Sequence, residues 1–209
     1  MAKKKKEKQK VPSKVKVKSK LKQKAKGKAE VLSSKLVFQS SAFDVYTDQV
    51  IEPCGREARR DIVRHNGSVV ILALEHSKSK KDPLVVLERQ YRHAAAQYLW
   101  EIPAGKIDEG EKRLSAAKRE LMEETGFRAK KWTKLVRYYP SPGFVGEWMQ
   151  IFLAEGLTAG DAAPEEDEEI EIFLTPLSEV LKMIDKGEIL DGKTLIAAQF
   201  YDRMRSAAK

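Results

Sequence analysis

The sequence predicts an α/β fold with helices packed on a mixed sheet, and three observations carry the prediction. "SVVILAL" (68–74) is a continuous apolar run of strand length, as expected of a strand buried on both faces. "EKRLSAAKRELMEET" (111–125) places apolar residues at helical spacing. Around these lie more strand-like runs than helical ones, which favours an α/β sandwich over a helical bundle.

At 209 residues the chain is long enough for one domain and an appendage, and the appendage comes first. Residues 1 to 30 hold fourteen Lys and two Glu, a net +12 against +9 for the whole chain, so the rest carries −3. From Lys14 to Lys28 every even position is lysine, with no aromatic residue between. A strand there would have one face made only of ammonium groups. Residues 1–31 are therefore expected to form a disordered, self-repelling tail. The alternative is an arm that attracts polyanions through phosphate contacts without base stacking.

The body begins near Leu32. "AFDVYTDQVI" (42–51), the turn "EPCGRE" and "ARRDIVRH" (58–65) suggest a β-hairpin. Residues 32–67 are thus expected to form N-terminal strands ahead of a main domain at 68–209. After the buried strand, the polar "KSKKDP" turns the chain into "LVVLERQY" (84–91), and "QYLWEIP" (97–103) is a short strand stopped by proline. The helix over 111–125 follows, with Gly126 as its left-handed stop. "WTKLVRYYP" (132–140) and "EWMQIFLAEGL" (147–157) read as strands around the loop "SPGFVG". The acidic run "PEEDEEIEIFLTP" leads into a strand at 170–174. An amphipathic helix over 177–187 and a last helix over 193–206 complete the chain.

Cys54 is the only cysteine, which excludes a disulfide framework and a multi-cysteine metal site. The longest aliphatic run, Val69 to Leu74, is too short to span a bilayer. No apolar segment follows the basic start, so no secretory signal is expected and the protein reads as cytoplasmic.

The 111–125 helix breaks two local rules. At ~100° per residue, Leu114, Ala117 and Leu121 share one stripe, expected to face the core. Glu120, Glu123 and Glu124 fill the adjacent arc, and like charges at this spacing destabilise a helix by roughly 0.2–0.5 kcal/mol per pair. They also crowd the C-terminal end, where the helix dipole disfavours anions. Such violations concentrate at functional sites. A divalent cation would neutralise the cluster, and hard cations such as Mg²⁺ take oxygen ligands. Glu120 and Glu124, one turn apart, are placed to share such an ion. The bland alternative is a solvated acidic face.

The wider stretch "GKIDEGEKRLSAAKRELMEETGF" (105–127) matches without a gap a known box: Gly, five residues, Glu, seven residues, Arg-Glu-aliphatic-any-Glu-Glu-any-Gly-apolar. Gly105, Glu111, Arg119, Glu120, Leu121, Glu123, Glu124, Gly126 and Phe127 all fall on pattern. In this it resembles the Nudix hydrolases, which cleave nucleoside diphosphates linked to another group with Mg²⁺ or Mn²⁺. The resemblance implies the Nudix fold, an α/β/α sandwich around a mixed β-sheet, here with an N-terminal antiparallel β-hairpin extension. It also implies Glu120 and Glu124 as principal metal ligands, Glu123 assisting, and the Ala104 carbonyl contributing an oxygen. Arg119 would orient the glutamates, and Glu111 would anchor the helix start or complete an outer metal shell.

"QYR" (90–92), "WEIPAGKID" (100–108), "YPSPGF" (139–144) and "DGKTLIAAQF" (191–200) resemble the branch acting on ADP-ribose and other nucleoside diphosphate sugars. So does Pro142, sixteen residues beyond Gly126. In that branch the general base lies on a loop before the last strand, which implies Glu168 first and Glu166 second. Arg92 is the expected diphosphate contact, with Arg60 or Arg64 as further possibilities. Glu101 is expected at the terminal ribose or in the metal network. Tyr46, Trp100 and Phe144 are base-stacking candidates, and the histidines are read as structural. The branch further implies a homodimer with exchanged N-terminal strands. Two other readings stay open: a Nudix enzyme for RNA ends or dinucleoside polyphosphates with the tail on nucleic acid, and a non-catalytic nucleotide-binding module.

Overall fold

The structure, a computed structural model, describes residues 27–41, 43–76, 79, 81–163 and 169–207. Three N-terminal strands, β1 (Glu30–Gln39), β2 (Asp44–Ile51) and β3 (Glu57–Arg64), form an antiparallel sheet in that order. The expected hairpin is its β2–β3 half. β1 was not anticipated, and it extends two residues into the expected tail.

The main sheet is built from β4 (Ser68–Glu75), β5 (Leu84–Arg92), β6 (Gln97–Glu101), β7 (Ala104–Lys106), β8 (Arg128–Tyr138), β9 (Met149–Thr158) and β10 (Ile170–Pro176). Its main order is β10-β5-β4-β9-β8, with β6 paired to β5 and β7 to β4. β4 and β9 run parallel and the other pairs antiparallel, so the sheet is mixed, as expected. The helices are α1 (Arg113–Thr125), α2 (Leu177–Asp185) and α3 (Gly192–Ala207).

β4 explains why its sequence is apolar throughout. Successive side chains of a strand point to opposite faces. Val70, Leu72 and Leu74 join Leu177, Val180 and Met183 of α2 and Ala197 and Ala198 of α3 in one core. Val69, Ile71 and Ala73 meet Ala116, Ala117 and Leu121 of α1 in the other. The result is the α/β/α sandwich. Leu114 departs from expectation, being 38% exposed. The buried arc of α1 runs through Ala116, Ala117, Leu121 and Glu124, leaving Leu114 at its margin on the first turn. Trp100 packs against the α2/α3 core, edge-on to Phe173 at 4.9 Å.

Candidate active site

The box segment folds as strand, loop and helix. β7 pairs with β4, setting residues 104–106 against the side of α1 that carries its glutamates. The Glu120 carboxylate lies directly over Gly105, so a Cβ there would displace it. Gly126 ends α1 at φ 72°, its amide bonded to the Met122 carbonyl (2.9 Å). Glycine adopts that left-handed conformation without penalty.

Arg119 ties the segment together. Its Nη1 donates to Glu120 Oε1 (2.8 Å) and Glu123 Oε2 (3.0 Å), and its Nη2 to the Lys106 carbonyl (3.1 Å). Nη2 and Nε also grip Glu111 at Oε2 (3.0 Å) and Oε1 (3.2 Å). One guanidinium thus serves three of the box's four glutamates, which the rigid planar fork of arginine permits. These bonds, Glu111's foremost, push the Arg119 pKa up despite partial burial. Reciprocally, Arg119 holds the Glu111 carboxyl below its ordinary range. Glu111 also accepts from the Asp108 amide (3.2 Å), closing the loop ahead of α1.

The fourth pattern glutamate is held by the main chain. Glu124 is 7% exposed and accepts from the Ala104 amide (3.1 Å). Glu120 and Glu124 therefore both abut residues 104–105, one against Gly105 and one against Ala104. Among the described residues no three His, Cys, Asp or Glu side chains converge tightly enough to form a metal set by themselves. The donors nonetheless fit a hard divalent cation: carboxylates one turn apart beside a main-chain segment, offering oxygen only. Glu166 and Glu168 lie outside the described residues. The described flank reaches the site, since the Ala163 amide donates to the Glu123 carbonyl (2.9 Å).

Arg92, at the end of β5, donates from Nε and Nη2 to the two oxygens of Glu101 on β6, each at 2.8 Å. Its side chain is 40% exposed while that of Glu101 is 2% exposed. Burial would raise the Glu101 carboxyl, but the Arg92 donors and the nearby Lys193 ammonium outweigh it and hold it low. Lys193 on α3 also binds Glu101, and it reaches Asp191 Oδ1 at 3.1 Å. Sequence reasoning did not assign Lys193, Asp191 or Thr194 a role, although all three stand in the noted "DGKT" stretch.

The remaining candidates scatter. Arg60 is turned to Glu52 (2.6 Å) on the β2–β3 turn side. Arg64 pairs with Asp48 (3.2 Å) and covers the Tyr46 ring at 3.8 Å, so one face of that ring is taken. Arg64 also lines a cleft of about 190 Å³ with Phe43, His65 and the box residue Lys106. Phe144 stands 58% exposed on the loop beside β3, its carbonyl accepting from the Val63 amide (2.8 Å). A cleft of about 500 Å³ runs along the box loop, lined by Asn66, Ile107, Asp108, Glu111, Arg113 and Trp148. Of the histidines, His65 accepts from the Gly67 amide (3.0 Å) and His76 faces Glu155 (3.2 Å).

A helix crowded with carboxylates around one arginine, one of them lying over a glycine, is the arrangement expected of a Nudix box. The NUDIX domain model matches residues 64–196, and the chain belongs to that family. Such hydrolases generally need a divalent metal. The chain is 36% identical over 173 residues to an ADP-ribose pyrophosphatase of Bacillus subtilis (strain 168), covering 82% of this chain and 91% of that one. It is 37% identical over 153 residues to a GDP-mannose pyrophosphatase of Cronobacter sakazakii (strain ATCC BAA-894), covering 69% and 77%. A crystal structure of an ADP compounds hydrolase superposes with a TM-score of 0.75 at 22% identity, over 89% of this chain and 98% of that one, and shares the fold.

Proposed function

We propose that this protein is a divalent-metal-dependent pyrophosphohydrolase of ADP-ribose or another nucleoside diphosphate sugar. The observation that carries the reading is the Arg119-organised carboxylate face of α1, set against Ala104 and Gly105. Glu120, Glu124 and the Ala104 carbonyl hold Mg²⁺, with Mn²⁺ as substitute and Glu123 assisting. Bound there, the ion supplies charge neutralisation of the diphosphate and lowers the pKa of water. Arg92 grips the diphosphate, with Arg64 or Arg60 as further contacts to it, and Phe144 and the uncovered face of Tyr46 offer aromatic surface to the base. Glu168, or Glu166 in its place, takes a proton from the attacking water. The water oxygen bonds to one phosphorus as the bridging P–O bond breaks, giving a nucleoside monophosphate and a sugar phosphate.

The wholly exposed β1, with Val31, Leu36, Val37 and Phe38 uncovered, supports a homodimer made through the N-terminal strands. No helix of the described residues is long and apolar enough to cross a membrane. With the lone, exposed, unpaired Cys54, this supports a cytoplasmic enzyme. The lysine-rich tail, most of which lies outside the described residues, ends ahead of β1 at Glu30; residues 30–67 serve as the dimer and substrate strands and 68–209 as the hydrolase domain.

Rates for ADP-ribose, GDP-mannose, diadenosine polyphosphate and capped RNA, each with Mg²⁺ and Mn²⁺, test the reading. The expected result is preference for a nucleoside diphosphate sugar. The lysine-rich start favours one rival, hydrolysis of RNA ends; preference for capped RNA, lost on deleting residues 1–30, would establish that rival instead.

A further inference from the structure

Lys193 is 9% exposed, an uncommon place for an ammonium group unless it is paired. Its partners form a closed circuit. Lys193 binds Glu101 and Asp191, and Asp191 Oδ2 accepts from the Thr194 amide (3.0 Å) and hydroxyl (2.6 Å). The Thr194 oxygen in turn accepts from the Ile102 amide (3.0 Å), the residue after Glu101. The first turn of α3 is thereby bolted to the end of β6, two residues before Ala104. The cations Arg92 and Lys193 thus stand among the carboxylates of Glu101, Asp191 and Glu124.

How Glu101 is shared governs what Arg92 can offer. Glu101 Oε2 accepts from both Arg92 Nη2 and Lys193, so its charge is divided between two cations. Without Lys193, Glu101 would neutralise Arg92 alone, and Asp191 would keep its Thr194 donors but lose its cation. A diphosphate would then meet one positive charge fewer.

We propose that Lys193 is a positioning residue for substrate binding: by sharing Glu101 with Arg92, it leaves the Arg92 guanidinium charge and its Nη1 donors to the substrate diphosphate. The proposal rests on the reading of Arg92 above and adds a residue on a different element. It predicts an effect on binding that passes through Arg92.

The experiment compares Lys193→Met, Lys193→Gln and Lys193→Arg in the full chain, alone and with Arg92→Ala. Losing the worth of one charge-assisted hydrogen bond, Lys193→Met raises KM for the best nucleoside diphosphate sugar about tenfold, with kcat within about threefold. Lys193→Arg restores KM, and Lys193→Met adds nothing further to KM in the Arg92→Ala background. A purely structural residue would instead lower the melting temperature and act additively with Arg92→Ala. An unchanged KM, or full additivity, overturns the proposal. If Lys193→Met does not fold, Lys193→Gln keeps an amide donor toward Glu101 without the charge, and an unchanged KM there overturns it equally. If the wild-type chain turns over no nucleoside diphosphate sugar, the proposed function fails by itself. Calorimetric titration with ADP then decides the present point: equal affinity in wild type and variant refutes it, and about tenfold weaker binding supports it.

Discussion

Arg119→Lys is the sharpest perturbation of the site because it keeps the charge and removes the fork. Arg119 makes five hydrogen bonds to Glu111, Glu120, Glu123 and the Lys106 carbonyl, spread over three nitrogens. A lysine has one nitrogen and cannot span Glu111 on one side and Glu120 with Glu123 on the other, so at least two bonds are lost. At about 1 kcal/mol each for a partly exposed ionic pair, the loss is about 2 kcal/mol. For a domain of this size that lowers the melting temperature by about 4–8 °C. The larger consequence is functional, since Glu120 and Glu123 lose the partner that fixes their rotamers. Removing the groups that orient metal ligands costs about 10–100-fold in metal affinity or activity. Thermal melts and turnover measured against Mg²⁺ concentration supply both numbers, with the metal requirement shifting to higher concentration. If Arg119→Lys kept its melting temperature and its Mg²⁺ dependence, the idea that this guanidinium assembles the cluster would be wrong.

Glu120→Gln and Glu124→Gln should each abolish divalent-dependent turnover while leaving the circular dichroism spectrum intact; unchanged rates would remove the metal assignment. Gly105→Ala should lower turnover about tenfold by displacing the Glu120 carboxylate, and a wild-type rate would mean that Glu120 has room to spare. Acid should destabilise the protein partly through Glu101, whose folded-state pKa is lowered, so its stabilisation is present at neutral pH. That contribution fades as the pH drops below the unfolded value of about 4.3 and through the folded one. Melting temperature should therefore fall between about pH 5 and 3 less steeply in Glu101→Gln than in wild type, and parallel curves would count against it.

The fold was legible where burial imposes a pattern. β4 and β5 pack both faces, so apolar runs gave them away, and α1 announced itself through its spacing and its terminal glycine. β1 did not, because all ten of its residues are exposed in the single chain and carry no alternation to read. β7 is only three residues long, below any usable period. Leu114 misled because a helical wheel records angle and ignores where along its axis a helix leaves the core. In the site, the residues within one box could be named from spacing, since a helix converts sequence interval into geometry. The Lys193–Glu101 pair could not, because the two stand 92 residues apart and meet only once α3 closes over β6.

The carboxylate crowding that looks like an error in isolated helix terms is resolved by two different means in the folded chain. On one side, Arg119 gathers Glu111, Glu120 and Glu123 and removes much of their mutual repulsion without any ion. On the other, Glu124 is buried on a backbone amide, near enough to Arg92 to raise its pKa. This division lets one helix carry Glu120, Glu123 and Glu124 at modest cost. It also explains why the arginine of the box immediately precedes Glu120. From that position on the helix, one guanidinium reaches the strand of β7, the loop before α1 and the next turn at once.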